Sequence, residues 1–355
     1  MSDSISINSS PLFFGPLTET NFGGILKEKF PYSKFVILTD ENVAEHWVEY
    51  LTTEFDSLHG CEIIQLPPGE ENKNIEICVS VWEALSEYEI SRNDVIINLG
   101  GGVMTDMGGF IASTFKRGLR FINIPTTLLA QVDASLGGKT GIDLGAFKNQ
   151  VGVFSEAEFV FIDSQFLSTL PKEQLYSGFA EMLKHGLIAD IDYWKKLLTI
   201  SPESIAELIP FIKQSVEIKK KIVEQDYHEK NIRKTLNFGH TIGHAIEGFY
   251  LSKYQPMLHG YAVAYGMIAE SYLSYKMNLI SENDFHKIKV SLQQRYGNLD
   301  LKKESFGEIL ALLNNDKKNS NGEINFTLLS GIGSSVFDQK FAEELIVEAL
   351  EILIG

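Results

Sequence analysis

The chain is expected to fold as an N-terminal α/β domain followed by a mostly helical C-terminal domain. Three observations predict this. Its 355 residues are about two domains' worth of chain. In the first half, short apolar runs alternate with helical patterns, as in βαβ units around a mainly parallel sheet. From about Pro171 the pattern changes to long helical segments.

The elements can be read in order. KFVILT at 34–39 is an apolar run ending in Asp40, with a helical stretch from Asn42. EIIQL at 62–66 leads through the turn Pro67-Pro68-Gly69 into a helical pattern carried by Ile75, Val79, Trp82 and Leu85. DVIINL at 94–99 reads as a buried strand running into Gly100-Gly101-Gly102, and RFINIP at 120–125 as a fourth. The second half predicts helices over 173–189, 191–199, 203–225, 235–250, 260–277, 282–296, 304–315 and 339–353. Only 324–329 reads as a strand there, and no internal repeat is visible.

At 44% hydrophobic and 22% charged residues, the composition is that of a soluble globular protein. No apolar run approaches the roughly 20 residues of a membrane span. The N-terminus lacks the basic region of a secretory leader. Cys61 and Cys78 lie in apolar surroundings and read as core thiols, which fits a reducing cytoplasm. A net charge of −16 argues against nucleic acid or an anionic membrane as partner.

The densest chemical signal is NFGHTIGHAIE, with a third histidine, His259, fifteen residues beyond His244. At 3.6 residues per turn His240, His244 and Glu247 share one helical face. Two histidines four apart can bind one metal, and a catalytic zinc takes three protein ligands and keeps a position open. The alternative is a polar face with a hydrogen-bonded histidine. Spacing alone does not say which of His240 and His244 would be the ligand.

Three features of the first half suggest a dinucleotide. The run Gly100–Gly102 between a buried strand and a helix lets a pyrophosphate approach backbone amides. Asp40, ending its strand, can accept from ribose hydroxyls or cap the following helix. Thr126 and Thr127 follow another strand on the same sheet edge. In the segment 131–143, Gly-Gly-Lys-Thr lacks the frame of a phosphate-binding Walker loop, since Asp133 stands where its first glycine would be. The segment instead reads as a glycine-rich loop presenting Lys139 and Lys148 to an anion. Further cations near glycines or helix ends are Arg117, Lys184, Lys219, Arg233, Lys317 and Lys318.

Together these segments resemble the 3-dehydroquinate synthases, a branch of the sugar phosphate cyclase family, from about residue 34 to about residue 332. The matching blocks are GGGVMTDMGGFIASTFKRG, PTTLLAQVDASLGGKTGID, FKNQVG, SGFAEMLKHG, RKTLNFGHTIGHAIE, LHGYAVAYGM and NNDKKN, in that order along the chain. The resemblance implies a Rossmann-like NAD-binding domain over 1–170 and a mainly helical metal- and substrate-binding domain over 171–355. It implies one NAD+, one divalent metal (Zn2+ or Co2+), and commonly a homodimer. Carried over by position, the metal ligands are Glu181, His240 and His259. Phosphate would be met by Lys139, Asn149, Arg233, Asn237, His244 and one of Lys317 and Lys318, with Arg117 reaching in from a partner subunit. Lys184 and Lys219 would lie near the substrate's hydroxyls and carboxylate, and Asp133 near the metal-side hydroxyls. The implied NAD contacts are Asp40, Asn42, Gly69, Glu70, Glu71, Asn72, Lys73, Asn74, Gly101, Gly102, Val103, Met104, Thr105, Asp106, Thr126, Thr127, Lys139, Lys148, Phe166, Leu167, Ser168 and Thr169.

The implied reaction turns 3-deoxy-D-arabino-heptulosonate 7-phosphate into 3-dehydroquinate and phosphate, a step of the shikimate pathway to aromatic amino acids. It runs by transient oxidation at C5, β-elimination of phosphate, re-reduction and an intramolecular aldol closure, with no net redox. Two positions depart from the family pattern. Tyr261 stands where a glutamate is usual, which bears on the hydrogen bonding behind His259. His185 stands where tyrosine is usual. The rival readings are a sister cyclase acting on sedoheptulose 7-phosphate or glucose 6-phosphate, a polyol dehydrogenase, and a non-enzymatic binding protein. His244 argues against the glucose-6-phosphate branch, where that position is typically glutamate.

Overall fold

The computed structural model describes residues 4–145, 147–314 and 324–354. The chain divides into two compact units, Met1–Pro171 and Lys172–Gly355.

The first unit contains, in order, β1 (Ser4–Ile7), β2 (Ser10–Phe14), α1 (Phe22–Lys29), β3 (Phe35–Asp40), α2 (Glu41–Glu54), β4 (Glu62–Leu66), α3 (Ile75–Glu87), β5 (Val95–Gly100), α4 (Gly102–Thr114), β6 (Arg120–Pro125), β7 (Lys139–Leu144), β8 (Phe147–Phe154) and β9 (Phe159–Ile162). Seven strands form one sheet in the order β1-β2-β9-β6-β5-β3-β4. From β2 to β4 every pairing is parallel, and β1 adds an antiparallel edge. The central strand β5 is buried at every residue, as a parallel strand covered on both faces must be. The order reverses between β3 and β5. In an open α/β sheet, the crevice beyond the strand ends at such a switch point is where ligands bind. One face packs Phe22, Leu26, Ile37, Leu51, Ile97, Ile122 and Phe161 into a single apolar cluster.

The second unit contains α5 (Lys172–Ala189), α6 (Ile191–Leu197), α7 (Ile205–Gln225), α8 (His240–Ser252), α9 (His259–Lys276), α10 (Glu282–Tyr296), α11 (Phe306–Asn314), β10 (Phe326–Gly331), β11 (Ser334–Gln339) and α12 (Glu343–Glu351). Helix α9 is central, packing against α5, α8, α10, α12 and β10. Its near-uniform burial suits a sequence, GYAVAYGMIAESYL, with no polar stripe.

Several expectations are corrected. The segment after Gly137 is an antiparallel hairpin, β7–β8, rather than a loop. Gly141 and Gly152 face each other across it, where a Cβ on either would strike the opposite backbone. The helix expected from 235 starts at His240, because Gly239 adopts φ 79° and breaks the chain after a short 3-10 turn. Residues 334–339 form β11, and the final helix starts only at Glu343. On α3 the buried face is Cys78, Val81 and Leu85, whereas Ile75 and Val79 are exposed. Cys78 is buried and Cys61 half-buried, and both are free thiols.

Candidate active site

In the first unit, three strand ends build a cradle at the switch point. Asp40 ends β3 and caps α2, its Oδ1 accepting from the Val43 amide at 3.0 Å. The cap is therefore real, and burial pushes the carboxyl above its ordinary range. Its other oxygen faces Gly100 at the end of β5, 3.6 Å from where a Cβ there would stand. Helix α4 follows with Gly101 as an N-cap that has no side-chain oxygen, so its first amides face outward uncapped. A Cβ at Gly101 would meet Thr127 at 2.9 Å. At the end of β6, Thr126 is buried with no hydrogen-bond partner for its Oγ1. A glycine-lined helix N-terminus beside a buried, unmatched hydroxyl is the donor set a pyrophosphate requires.

Lys73 ties this region together. Its buried ammonium donates to Asp106 Oδ2 and Asn149 Oδ1, both at 2.7 Å. Burial disfavours its charge, yet Asp106 and Glu70 outweigh that and hold the pKa above its usual range. Lys148 pairs with Glu70 at 3.4 Å, so the turn at 70–72 and strand β8 are joined by two lysines. Asn149 thus sits within the Lys73 network, at φ 49°. Asn42, Gly69, Glu71, Ser168 and Thr169 are exposed, while Phe166 and Leu167 are core residues. Asp133 lies half-buried in a π-helical turn, and Lys139 is exposed at the start of β7. Arg117 is exposed beyond the C-terminal end of α4, the opposite end from Gly101.

In the second unit, Glu181 of α5, His240 at the start of α8 and His259 at the start of α9 converge. Glu181 Oε1 lies 3.6 Å from Nε2 of His240 and 3.6 Å from Nε2 of His259. Ligands about 2.0–2.1 Å from one tetrahedral zinc lie about 3.3–3.4 Å apart, so these separations fit a shared ion. The far ring edges are held as well. His240 Nδ1 donates to the Phe238 carbonyl at 3.2 Å, and His259 Nδ1 to Glu247 Oε2 at 3.3 Å. Both acceptors can only accept, which leaves each Nε2 lone pair for a metal. Burial opposes charge on the His259 imidazole, but Glu247 and then Glu181 raise its pKa to about 9. The His244 ring centroid lies 5.1 Å from that of His240 and 5.6 Å from that of His259. The three histidines each offer a nitrogen within 4.8 Å of the others, so proximity alone admits His244 too.

Lys184, one turn after Glu181, forms a buried ion pair with Glu181 Oε2. His185 donates to or accepts from Ser215 of α7 at 2.7 Å, fastening α5 to the helix that carries buried Lys219. Arg233 is buried and donates to the Tyr227 carbonyl at 2.6 Å, and Asn237 donates to Glu229 at 2.6 Å. Asp226 accepts from the amides of Lys230, Asn231 and Arg233, fixing the loop that carries both side chains. Lys317 and Lys318 lie outside the described residues.

The sequence reading gave no role to Glu270. Buried on α9, it accepts from the amides of Gly239 at 2.6 Å and Ile242 at 3.1 Å, and so caps the helix that begins with His240. A lone carboxylate inside an apolar helix was the available signal.

A doubly wound sheet with an open glycine turn, together with a mainly helical unit, is the architecture of the sugar phosphate cyclases. Solved structures agree in fold. The 2-deoxy-scyllo-inosose synthase complexed with carbaglucose-6-phosphate, NAD+ and Co2+ matches with TM-score 0.84 and 26% identity over 99% of each chain. The 2-epi-5-epi-valiolone synthase of Streptomyces hygroscopicus subsp. jinggangensis, with NAD+ and Zn2+ bound, matches with TM-score 0.86 and 24% identity over 99% of each. The family models for the 3-dehydroquinate synthase N-terminal and C-terminal parts match residues 63–177 and 178–319. The 3-dehydroquinate synthase of Parabacteroides distasonis is 42% identical over 322 residues, covering 90% of this chain and 91% of that one. That of Thermoanaerobacter pseudethanolicus is 39% identical over 354 residues, covering 95% and 96%. This chain belongs to the 3-dehydroquinate synthase family.

Proposed function

We infer that the chain carries out its family's reaction, converting 3-deoxy-D-arabino-heptulosonate 7-phosphate to 3-dehydroquinate and inorganic phosphate. The observation that carries the active-site reading is the pair of 3.6 Å separations from one Glu181 oxygen to the two ring nitrogens. On this reading Glu181, His240 and His259 hold a Zn2+ or Co2+, and the cradle of Asp40, Gly101, Gly102 and Thr126 holds NAD+. When bound, the nicotinamide supplies a reversible hydride acceptor for the C5 carbinol, and the metal polarises that carbinol's oxygen.

The protein's own side chains do the rest. Lys184 orients Glu181 and places a positive charge beside the substrate's hydroxyls, with Lys219 serving the carboxylate. His244, one turn from His240, faces the substrate phosphate together with Arg233 and Asn237. Positive groups that tighten on phosphate as it departs lower the barrier to elimination and do more than bind substrate. Because the proton removed at C6 is adjacent to a ketone, a moderate base suffices. We take residues 1–170 as the NAD-binding domain and 171–355 as the metal- and substrate-binding domain.

The working form on this reading is a homodimer. Arg117 is separated from the glycine turn by the length of α4, about 20 Å of helix, which supports its serving a partner's site. A cytoplasmic location is supported by the two free thiols, and among the described residues no helix is long and apolar enough to cross a membrane.

The test is phosphate release from the heptulosonate phosphate, run beside sedoheptulose 7-phosphate and glucose 6-phosphate. One phosphate per substrate, with the heptulosonate strongly preferred, is expected. Preference for either other sugar would move the assignment to a sister cyclase.

A further inference from the structure

Tyr261 follows the third ligand position, His259, by two residues. A residue two places on is about 200° round a helix from its predecessor and cannot back it. Tyr261 instead packs edge-on against Tyr296, with ring centroids 5.3 Å apart. The carboxylate behind His259 comes from another helix. Glu247 of α8 is 4% exposed, lies two turns from His240 on the same face, and meets His259 Nδ1 at 3.3 Å.

Resting on the metal site argued above, we propose that Glu247 is a positioning residue for the metal. By accepting the Nδ1 proton it fixes the tautomer and the ring plane of His259, so that Nε2 points where Glu181 and His240 converge. His240 has a backbone carbonyl in that role, which substitution cannot remove. Glu247 is thus a side chain outside the ligand set on which the orientation of His259 depends. The Glu247–His259 contact also cross-links the helices, since the ligand on α9 is oriented from α8.

The experiment compares wild type with Glu247→Ala, Glu247→Gln and Tyr261→Glu. It reads zinc affinity by competition with a chelator, the visible spectrum of the cobalt-loaded protein, and the melting temperature of the metal-free protein. Glutamine keeps an oxygen that can accept from Nδ1. Loss of such a partner costs about 10–100-fold in affinity, so Glu247→Ala is expected to weaken zinc by that factor and alter the cobalt spectrum, while Glu247→Gln restores most of the loss. Tyr261→Glu is expected to leave affinity unchanged. Wild-type affinity and spectrum in Glu247→Ala overturn the proposal, and so does a loss in Glu247→Gln as large as in alanine. A gain from Tyr261→Glu also overturns it, because residue 261 would then reach His259. If the alanine variant does not fold, the glutamine variant and its cobalt spectrum decide. Failure of wild type itself to bind zinc or cobalt would instead overturn the metal site, and this inference with it.

Discussion

His240 and His244 are one turn apart on the same helix, and their surroundings differ. His240 has its Nδ1 bound to the Phe238 carbonyl and its Nε2 3.6 Å from Glu181. That polarity is what a metal ligand requires. Replacing His240 or His259 with alanine should therefore strip the metal and abolish turnover, as measured by elemental analysis beside phosphate release. His244→Ala should keep its metal and lose elimination rate. Metal loss in His244→Ala with retention in His240→Ala would reverse the assignment. Glu181 could not have been paired with these histidines from spacing, since it lies 59 positions before His240. Only the family motif pointed to it.

At the scale of elements, two helices begin at the proposed metal ligands His240 and His259, and each needs its first turn held still. Helix α8 lacks a side-chain cap of its own because Gly239 precedes it. Glu270 supplies the cap from α9, placing a negative charge at the positive end of α8. Glu270→Ala would leave two buried amides unsatisfied and remove two charge-assisted bonds. A loss of about 3 kcal/mol is expected, read as a fall in denaturant midpoint with an unchanged m-value. Metal affinity should fall with it, because His240 is the first residue of the uncapped turn. Stability within about 0.5 kcal/mol of wild type would show that water replaces the carboxylate.

For the whole molecule, the alternation of strands and helices and their near-continuous apolar runs made the parallel sheet legible, since both of its faces are covered. The helical second half was legible from period. What escaped was the hairpin β7–β8, whose glycines read as a loop, and the short strands β1, β2 and β9, whose pairing is set by neighbours rather than by local pattern. The Glu270 carboxylate behind the site escaped because a buried acid and a surface acid look alike until the partner amide is placed. A protein that oxidises and re-reduces one substrate has no net use for added cofactor. Charcoal-stripped protein should accordingly require NAD+ in catalytic amounts, while absorbance of reduced nicotinamide stays flat in steady state. Steady accumulation of NADH would instead mark a dehydrogenase.

Gly266 touches no ligand and lies seven residues, two turns, along α9 from His259. Even a methyl group there would overlap the carbonyl oxygen of Gly239 and come within 2.7 Å of the Gly243 amide. The helices that start at His240 and His259 would have to part by that overlap, and the imidazoles would part with them. A change to alanine, the mildest in chemical character, would then present in the laboratory as a metal-deficient enzyme with every ligand intact. Anyone tracing inherited variation in this gene would find the lesion far from the residues that explain it.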